Sequence, residues 1–232
     1  MKIGLLSDAH GHCPAFERGL SLLKAAGAEQ IYFLGDSIGY IADKQVVQLI
    51  RNSDIQAVRG NHEAMLNEPP EDSEGIYQIK RCRDQLSDEE VDFLTSLPEK
   101  LEIQIGDLNL LMCHGAPDNL LFGYLYPDTD LEKYNDLPYD VCISGHTHRP
   151  MHRTNSAGRV FLNPGSCGMP RDTGKFGSVA IFDADTMGVQ IIRYDISDIT
   201  SVWLQKCAPV HEVVAGLFKR KVSSAILGKV YE

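Results

Sequence analysis

Five short apolar runs in this chain each stop at residues that carry lone pairs, and that repetition narrows the folds open to it. Lys2–Ser7 ends at Asp8-Ala9-His10, and Ile31–Leu34 ends at Gly35-Asp36. Ile55–Val58 leads to Gly60-Asn61-His62-Glu63, Leu108–Cys113 to His114-Gly115, and Val141–Ser144 to Gly145-His146-Thr147-His148. A short apolar run bounded by turn residues is the signal of a buried strand. Helical patterns separate the first three runs. Pro14 suits a first helical turn. Phe16, Leu20, Leu23 and Ala26 then share one face, and Gly27 is a stop. A second helix is expected over about Asp43–Arg51, with Val46, Val47 and Ile50 inward. This strand–helix–strand–helix–strand rhythm predicts a parallel sheet with right-handed crossovers.

After residue 100 the pattern becomes strand-rich. Leu101–Ile105 and Leu108–Cys113 flank Gly106-Asp107, which reads as a hairpin. Further strands are expected at Val141–Ser144, Met151–Thr154, Arg159–Leu162, Val179–Phe182 and Val189–Tyr194. Asn67–Gly75 is acidic and proline-rich and reads as a surface loop. Ser87-Asp88-Glu89-Glu90 is a capping box for a short helix ending before Pro98. The tail after Ile196 turns helical, with Val210, Val213, Val214, Leu217 and Phe218 at helical spacing. That stripe is expected to pack on the body; a homodimer contact is the weaker alternative. With no linker or repeat in view, the expected organisation is one domain over 1–232 with two packed sheets. A helical extension covers about 196–232.

A chain of 232 residues, 43% apolar, can bury a core that needs no staples. Its net charge of −10 argues against electrostatic binding to nucleic acid or anionic membrane. No apolar stretch reaches the ~18 residues of a bilayer span. The first run is a strand ending at Asp8, so no targeting segment is expected. None of the six cysteines forms a C-x-x-C pair, and Cys113 and Cys142 read as small core residues. The expectation is a reduced, cytoplasmic protein.

Asp8 and His10 stand two residues apart, as do His146 and His148. If the backbone stays extended, both side chains of each pair point to one side. In open α/β sheets ligands bind beyond the carboxyl ends of strands, so five strand ends would converge on one rim. Two Asp, one Asn amide oxygen and several imidazoles, without a thiolate, suit Mn, Fe, Zn or Co better than a structural zinc–cysteine site. Two close cations need an anion between them, and Asp36 is the candidate bridge. A dinuclear site of this kind generates hydroxide near neutral pH and clamps a phosphate for in-line attack.

The blocks D-x-H, G-D, G-N-H-[DE], H-G and G-H-x-H occur in that order over residues 8–148, a set that resembles the calcineurin-like metallophosphoesterases. Gly35-Asp36-Ser37-Ile38-Gly39-Tyr40, Val58-Arg59-Gly60-Asn61-His62-Glu63 and Asn163-Pro164-Gly165-Ser166 look like the small bacterial and archaeal phosphodiesterase-type branch. The resemblance implies an α/β fold: a four-layer α/β/β/α sandwich, two mixed β-sheets packed face to face and flanked by helices. It implies two divalent transition-metal ions, Mn²⁺ first, with Fe, Zn, Co or Ni as alternatives. Asp8, His10 and His148 would hold one ion, and Asn61, His114 and His146 the other. Asp36 and the attacking hydroxide would bridge them. His62 would sit over the substrate and assist the leaving group, a task that suits an imidazole. The implied activity is hydrolysis of small phosphodiesters or nucleotide-like phosphoesters. A phosphomonoesterase acting on phosphoprotein or nucleotide is the alternative, and a non-catalytic scaffold of the same fold is weaker.

Some positions depart from that pattern. His12 stands where the family often has Asn, and it either touches substrate phosphate or is a satisfied loop histidine. The Asp-Arg-Gly of the phosphoprotein-phosphatase branch is absent, Gly39-Tyr40 standing there instead, which weakens a dedicated protein phosphatase reading. Arg171 joins His12 as a candidate substrate contact, with Arg149 supported by its charge alone. Glu63 reads as a loop partner, and Asn163–Ser166 as a structural turn, with backbone contact to the metal-site loops as the alternative. Phe122, Tyr124 and Tyr126 either stack on a base or pack under their loop, packing being the plainer reading.

Overall fold

The computed structural model describes residues 1–71, 74–207 and 209–221, and the backbone of 229–231. Strand β1 (Lys2–Leu6), helix α1 (Cys13–Ala25), β2 (Gln30–Phe33), α2 (Gln45–Arg51) and β3 (Gln56–Ala57) follow the expected alternation. β1 pairs with β2, and β2 with β3, all parallel. Pro14 lies in the first turn of α1, and Phe16 and Leu23 form its buried face.

The hairpin is β4 (Lys100–Ile105) and β5 (Leu108–Cys113), paired antiparallel across Gly106-Asp107. Then come β6 (Val141–Ile143), β7 (Met151–Thr154), β8 (Val160–Asn163), β9 (Phe176–Asp183) and β10 (Gly188–Asp195). With β11 (Lys229–Tyr231) they complete two mixed sheets. The first runs β11-β10-β9-β1-β2-β3, and the second β4-β5-β6-β8-β7. The sheets pack face to face through Ile3, Leu5 and Phe182 of the first and Met112, Ile143 and Leu162 of the second. Alternation along β1 explains the division, because Ile3 and Leu5 face the second sheet while Leu6 joins the helix-facing core.

Outside the first sheet, Phe16, Leu23, Val46 and Ile50 of α1 and α2 cover Phe33, Val179 and Ile181. Outside the second, Leu111, Cys142 and Phe161 are covered by Leu125, Leu131 and Tyr134. These come from the loop between β5 and β6, whose regular structure is one 3₁₀ turn at Glu132–Tyr134. The expected order of layers is therefore observed, with a thin outermost layer on that side.

Between β3 and β4 lie α3 (Asn61–Ala64), α4 (Glu74–Tyr77), α5 (Ile79–Gln85) and α6 (Asp88–Ser96). The capping box of α6 is present: Ser87 Oγ accepts the Glu90 N–H, and the Glu90 carboxylate accepts the Ser87 N–H. The loop expected over Asn67–Gly75 becomes helical at Glu74, and its residues 72–73 lie outside the described residues. The tail forms α7 (Ser197–Lys206) and α8 (Glu212–Leu217). Val214, Leu217 and Phe218 pack against Tyr40, Met169 and Trp203, while Val213 stays exposed. Lys229–Tyr231 departs from the expected helix. It pairs in parallel with β10, whose free edge supplies unpaired backbone groups. Residues 208, 222–228 and 232 of that tail lie outside the described residues. Among the described residues, no helix is long and apolar enough to cross a membrane.

One buried ion pair ties β10 to the loop before β9. Arg193 is fully buried and donates to both carboxylate oxygens of Asp172, at 2.5 and 3.0 Å, and to the Phe176 carbonyl. Removing one partner strands a buried charge, which costs about 3–5 kcal/mol. Asp172→Ala is expected to lower the urea-unfolding free energy by that much; a loss below about 1 kcal/mol would match an exposed pair instead.

Candidate metal centre

The strand ends meet as the sequence pattern requires. Asp8 and His10 follow β1, Asp36 follows β2, and Asn61 opens α3. His114 follows β5, and His146 and His148 follow β6. All seven side chains are buried. His148 Nε2 lies 3.2 Å from Asp8 Oδ1 and 3.2 Å from His10 Nε2. On the other side, His114 Nε2 lies 3.0 Å from Asn61 Oδ1 and 3.1 Å from His146 Nδ1. Asp36 Oδ2 stands between the groups, 3.7 Å from His10 Nε2 and 3.3 Å from His114 Nε2. Asp8, His10 and His148 form one set able to hold a metal ion, and Asp36, His114 and His146 form another.

The route to this convergence differs from the expected one. Asp8, His10, Asp36, His146 and His148 have φ between 46° and 64°, so the ligand pairs sit in left-handed turns and not on extended backbone. Non-glycine residues adopt this region at a cost, and Asp and His are among those that tolerate it best. Several bonds hold the turns. Glu63 accepts the N–H groups of Asp36, Ser37 and Gly60 and the Ser37 hydroxyl, at 2.7–2.9 Å. Asn163 donates to the Gly145 carbonyl and to Thr147 Oγ1. Ser166 Oγ donates to the Asp8 carbonyl. Asn163–Ser166 thus does more than turn the chain, because its side chains brace two ligand loops.

Proton placement makes the centre suited to a cation. The Nδ1 atoms of His10, His114 and His148 lie 2.9, 2.7 and 2.5 Å from the carbonyls of Ile38, Leu34 and Met169. A carbonyl only accepts, so each Nδ1 carries a proton and the Nε2 of a neutral ring presents a lone pair. Where those rings are neutral, their inward Nε2 atoms join Asn61 Oδ1 and the ionised carboxylates as acceptors, and Asp8 Oδ1 has no hydrogen-bond partner. Burial pushes the Asp8 carboxyl up to about 7. Burial also opposes charge on Asp36, yet His114 and His62 beside it hold that carboxyl well below its usual range. His10 and His148 are pushed down by burial and stay neutral. His114 resists the same burial because Asp36 draws it up to about 9, so its Nε2 holds a proton against Asp36 that a bound cation would displace. Nitrogen and oxygen acceptors without sulfur suit a divalent transition metal.

His62 is buried at the edge of the cluster, its Nε2 3.9 Å from Asp36 Oδ2. Its ring packs against His10, Tyr40 and Tyr77. Gly39 (φ 94°) makes room for it, since a Cβ there would lie 1.9 Å from His62 Nδ1. His10, Asp36 and His62 also form a set of ligand type. Arg171 reaches the rim: its guanidinium donates to the Tyr40 hydroxyl at 2.8 Å, and its N–H to the His148 carbonyl.

His12 does not join the centre, and its reading as a substrate contact is corrected. The ring is fully buried and stacked on Trp203 at 4.0 Å. Its Nδ1 caps α1 by accepting the Ala15 N–H, and its Nε2 pairs with Thr200 Oγ1 at 2.8 Å. Burial pushes it down to about 3, so it is neutral and serves as a cap. Sequence reading also missed Tyr40, a left-handed residue packed on His10 and His62. The only signal was its place after Gly39, beside the G-D block.

The chain matches the calcineurin-like phosphoesterase superfamily domain over residues 1–187. An uncharacterized protein of Methanocaldococcus jannaschii is 31% identical over 84% of this chain and 88% of its own length. The phosphodiesterase YfcE of Escherichia coli is 27% identical over 82% of this chain and 91% of its own. A solved metallophosphoesterase from Sphaerobacter thermophilus superposes with a TM-score of 0.78 at 26% identity, covering 94% of this chain and 98% of that one. The chain belongs to the calcineurin-like phosphoesterase superfamily.

Glu63 gives this centre a direct test. Gln at 63 has one acceptor oxygen, and its amide hydrogens would face backbone donors. Residues that orient ligands typically change metal affinity by about 10–100-fold. Glu63→Gln is expected to weaken Mn²⁺ binding in that range, read as the shift of thermal unfolding with metal concentration. Equal affinity in the two proteins would show that Glu63 does not position Asp36. In the unsubstituted protein, Mn²⁺ at about 100 times its Kd should add about 2.7 kcal/mol of stability, and a chelator should remove it.

Proposed function

We propose that the protein is a metal-dependent phosphoesterase of small phosphodiesters or nucleotide-like phosphoesters. The supporting observation is the buried, acceptor-rich centre in which Asp36 faces two ligand sets with His62 beside it. Asp8, His10 and His148 would hold one divalent cation, and Asn61, His114 and His146 the second, with Asp36 shared; Mn²⁺ is the first candidate. When bound, such ions supply Lewis acidity and lower the pKa of coordinated water toward neutrality.

The chain's own groups do the remaining work. The Ile38, Leu34 and Met169 carbonyls fix the imidazole tautomers, and Glu63 fixes the turn that carries Asp36. His62 gives a proton to the leaving oxygen. Burial lowers its pKa, and an anionic phosphoester beside it favours the charged form, which is the form that donates. Arg171, held by Tyr40, meets the phosphate oxygens at the rim. The diester reading is supported by relatives named phosphodiesterase in Escherichia coli and Methanocaldococcus jannaschii.

The Mn²⁺-loaded protein should hydrolyse bis-p-nitrophenyl phosphate with a higher kcat/KM than p-nitrophenyl phosphate. A strong monoester preference would reverse the substrate assignment. No turnover of either ester with Mn²⁺, Fe²⁺, Co²⁺, Ni²⁺ or Zn²⁺ would sink the proposal. Asp36→Asn should cost more than the ~100-fold typical of residues that only orient ligands, with metal content falling in parallel. His62→Asn should lower kcat by about 100-fold or more at unchanged metal content. A loss of metal in that variant would make His62 a ligand and not a proton donor.

A further inference from the structure

Three large aromatic side chains stand exposed in one short segment between β5 and β6: Phe122 at 49%, Tyr124 at 49% and Tyr126 at 40%. Among the described residues, the other exposed large apolar side chains are Val202 and Val213, far along the chain in the tail. Exposed rings in one patch mark a contact surface more often than rings scattered singly. This patch adjoins the centre, with the Tyr124 ring 4.2 Å from the His146 ring. Tyr126 lies parallel to Tyr124, with ring centroids 5.4 Å apart and planes 3° apart. The Tyr124 phenol also lies within electrostatic range of Arg171, Tyr77 and Asp36.

The segment is held in place. Leu125, between the two tyrosines, is buried in the core outside the second sheet. Alternation then sets Tyr124 and Tyr126 together on the opposite side. Gly123 N–H bonds the Asn119 carbonyl, Phe122 N–H bonds Asn119 Oδ1, and Tyr126 N–H bonds Thr129 Oγ1 at 2.9 Å. Arg153 donates to the carbonyls of Pro127 and Thr129. Rings fixed before a ligand arrives lose little entropy on binding it.

We infer that Tyr124 and Tyr126 form a stacking subsite for a planar heteroaromatic ring carried by the phosphoester, which makes the substrate class a nucleotide-type ester. The inference rests on the phosphoesterase reading, because His146 joins the platform to the centre that takes the phosphate. An alkyl or sugar arm offers no π-face to the two parallel phenols, whereas every nucleobase has one.

Adenosine 5′-monophosphate and ribose 5-phosphate share sugar and phosphate and differ by the base. Their binding to the full chain is measured by calorimetry, with Mn²⁺ and without added metal. The nucleotide is expected to bind about 5- to 150-fold more tightly, as one stacked base contributes. Tyr124→Ala and Tyr126→Ala should each reduce that ratio, and Tyr124→Phe should keep it, since a phenyl ring stacks as well. Both alanine sites are at least 40% exposed, which leaves the core intact. Equal binding of the two ligands, no binding of either, or equal weakening of both by Tyr124→Ala overturns the subsite. A base-dependent ratio in a protein that hydrolyses no ester keeps the subsite and overturns the catalytic reading instead.

Discussion

The buried centre around Asp36 Oδ2 collects more acceptors than donors, and much of the surrounding structure holds them there. Two lone pairs facing each other, such as His10 Nε2 and His148 Nε2 at 3.2 Å, repel unless positive charge lies between them. Five of the residues concerned also sit in left-handed backbone turns. Strained positions of this kind cost of order 1–3 kcal/mol each. Even at the low end, five would take a large share of the about 5–15 kcal/mol by which a typical domain is stable. They persist because Glu63, Asn163 and Ser166 over-determine the turns. A bound cation would add to the same effect, so metal affinity and folding stability share one source here.

The centre lies across the seam between the sheets. Asp8, His10, Asp36 and Asn61 come from the α/β half, and His114, His146 and His148 from the strand-rich half. Each proposed ion would draw on both: His148 completes the Asp8–His10 set, while Asn61 completes the His114–His146 set. Close approach of the halves needs small residues. A Cβ at Gly145 would lie 2.0 Å from Ser7 Oγ, so the strand end carrying the His146 pair meets the strand end carrying Asp8 only through glycine. Inter-sheet packing through Leu5, Met112 and Leu162 fixes the same distance from the apolar side.

Apolar runs and their terminal residues were enough to predict β1 to β10, the hairpin and the convergence of their ends, because a strand's burial pattern is local, whereas β11 fell in a segment expected to be helical. The backbone at the ligands was not legible. An i, i+2 pair of ligand residues reads the same whether the chain is extended or turned left-handed, and what decides is a bond to a distant carboxylate or hydroxyl. His12 failed for a related reason: its partner Thr200 is 188 residues away, and nothing beside His12 announces it. Glu63 was visible as a loop partner but not as the acceptor for three backbone N–H groups, since that count requires both loops in place. Helix α5 escaped notice because seven residues with Ile79 and Cys82 as the buried pair offer too short a period.

The pair His146–Thr147–His148 shows how one residue of spacing serves two duties. His148 bonds the Met169 carbonyl through Nδ1 and turns Nε2 toward Asp8 and His10. His146 turns the opposite nitrogen, Nδ1, toward His114. Its N–H donates to Asp8 Oδ2, so the backbone of one ligand orients the carboxylate of the other set. Loss of either imidazole therefore takes a nitrogen from one set, and Asp36, standing between the sets, couples that loss to the other. With Nδ1 turned inward, the His146 ring packs on Tyr124. A single imidazole thus joins the centre to the aromatic surface, and in the proposed function the orientation of that ring would set where a phosphate and its substituent sit together.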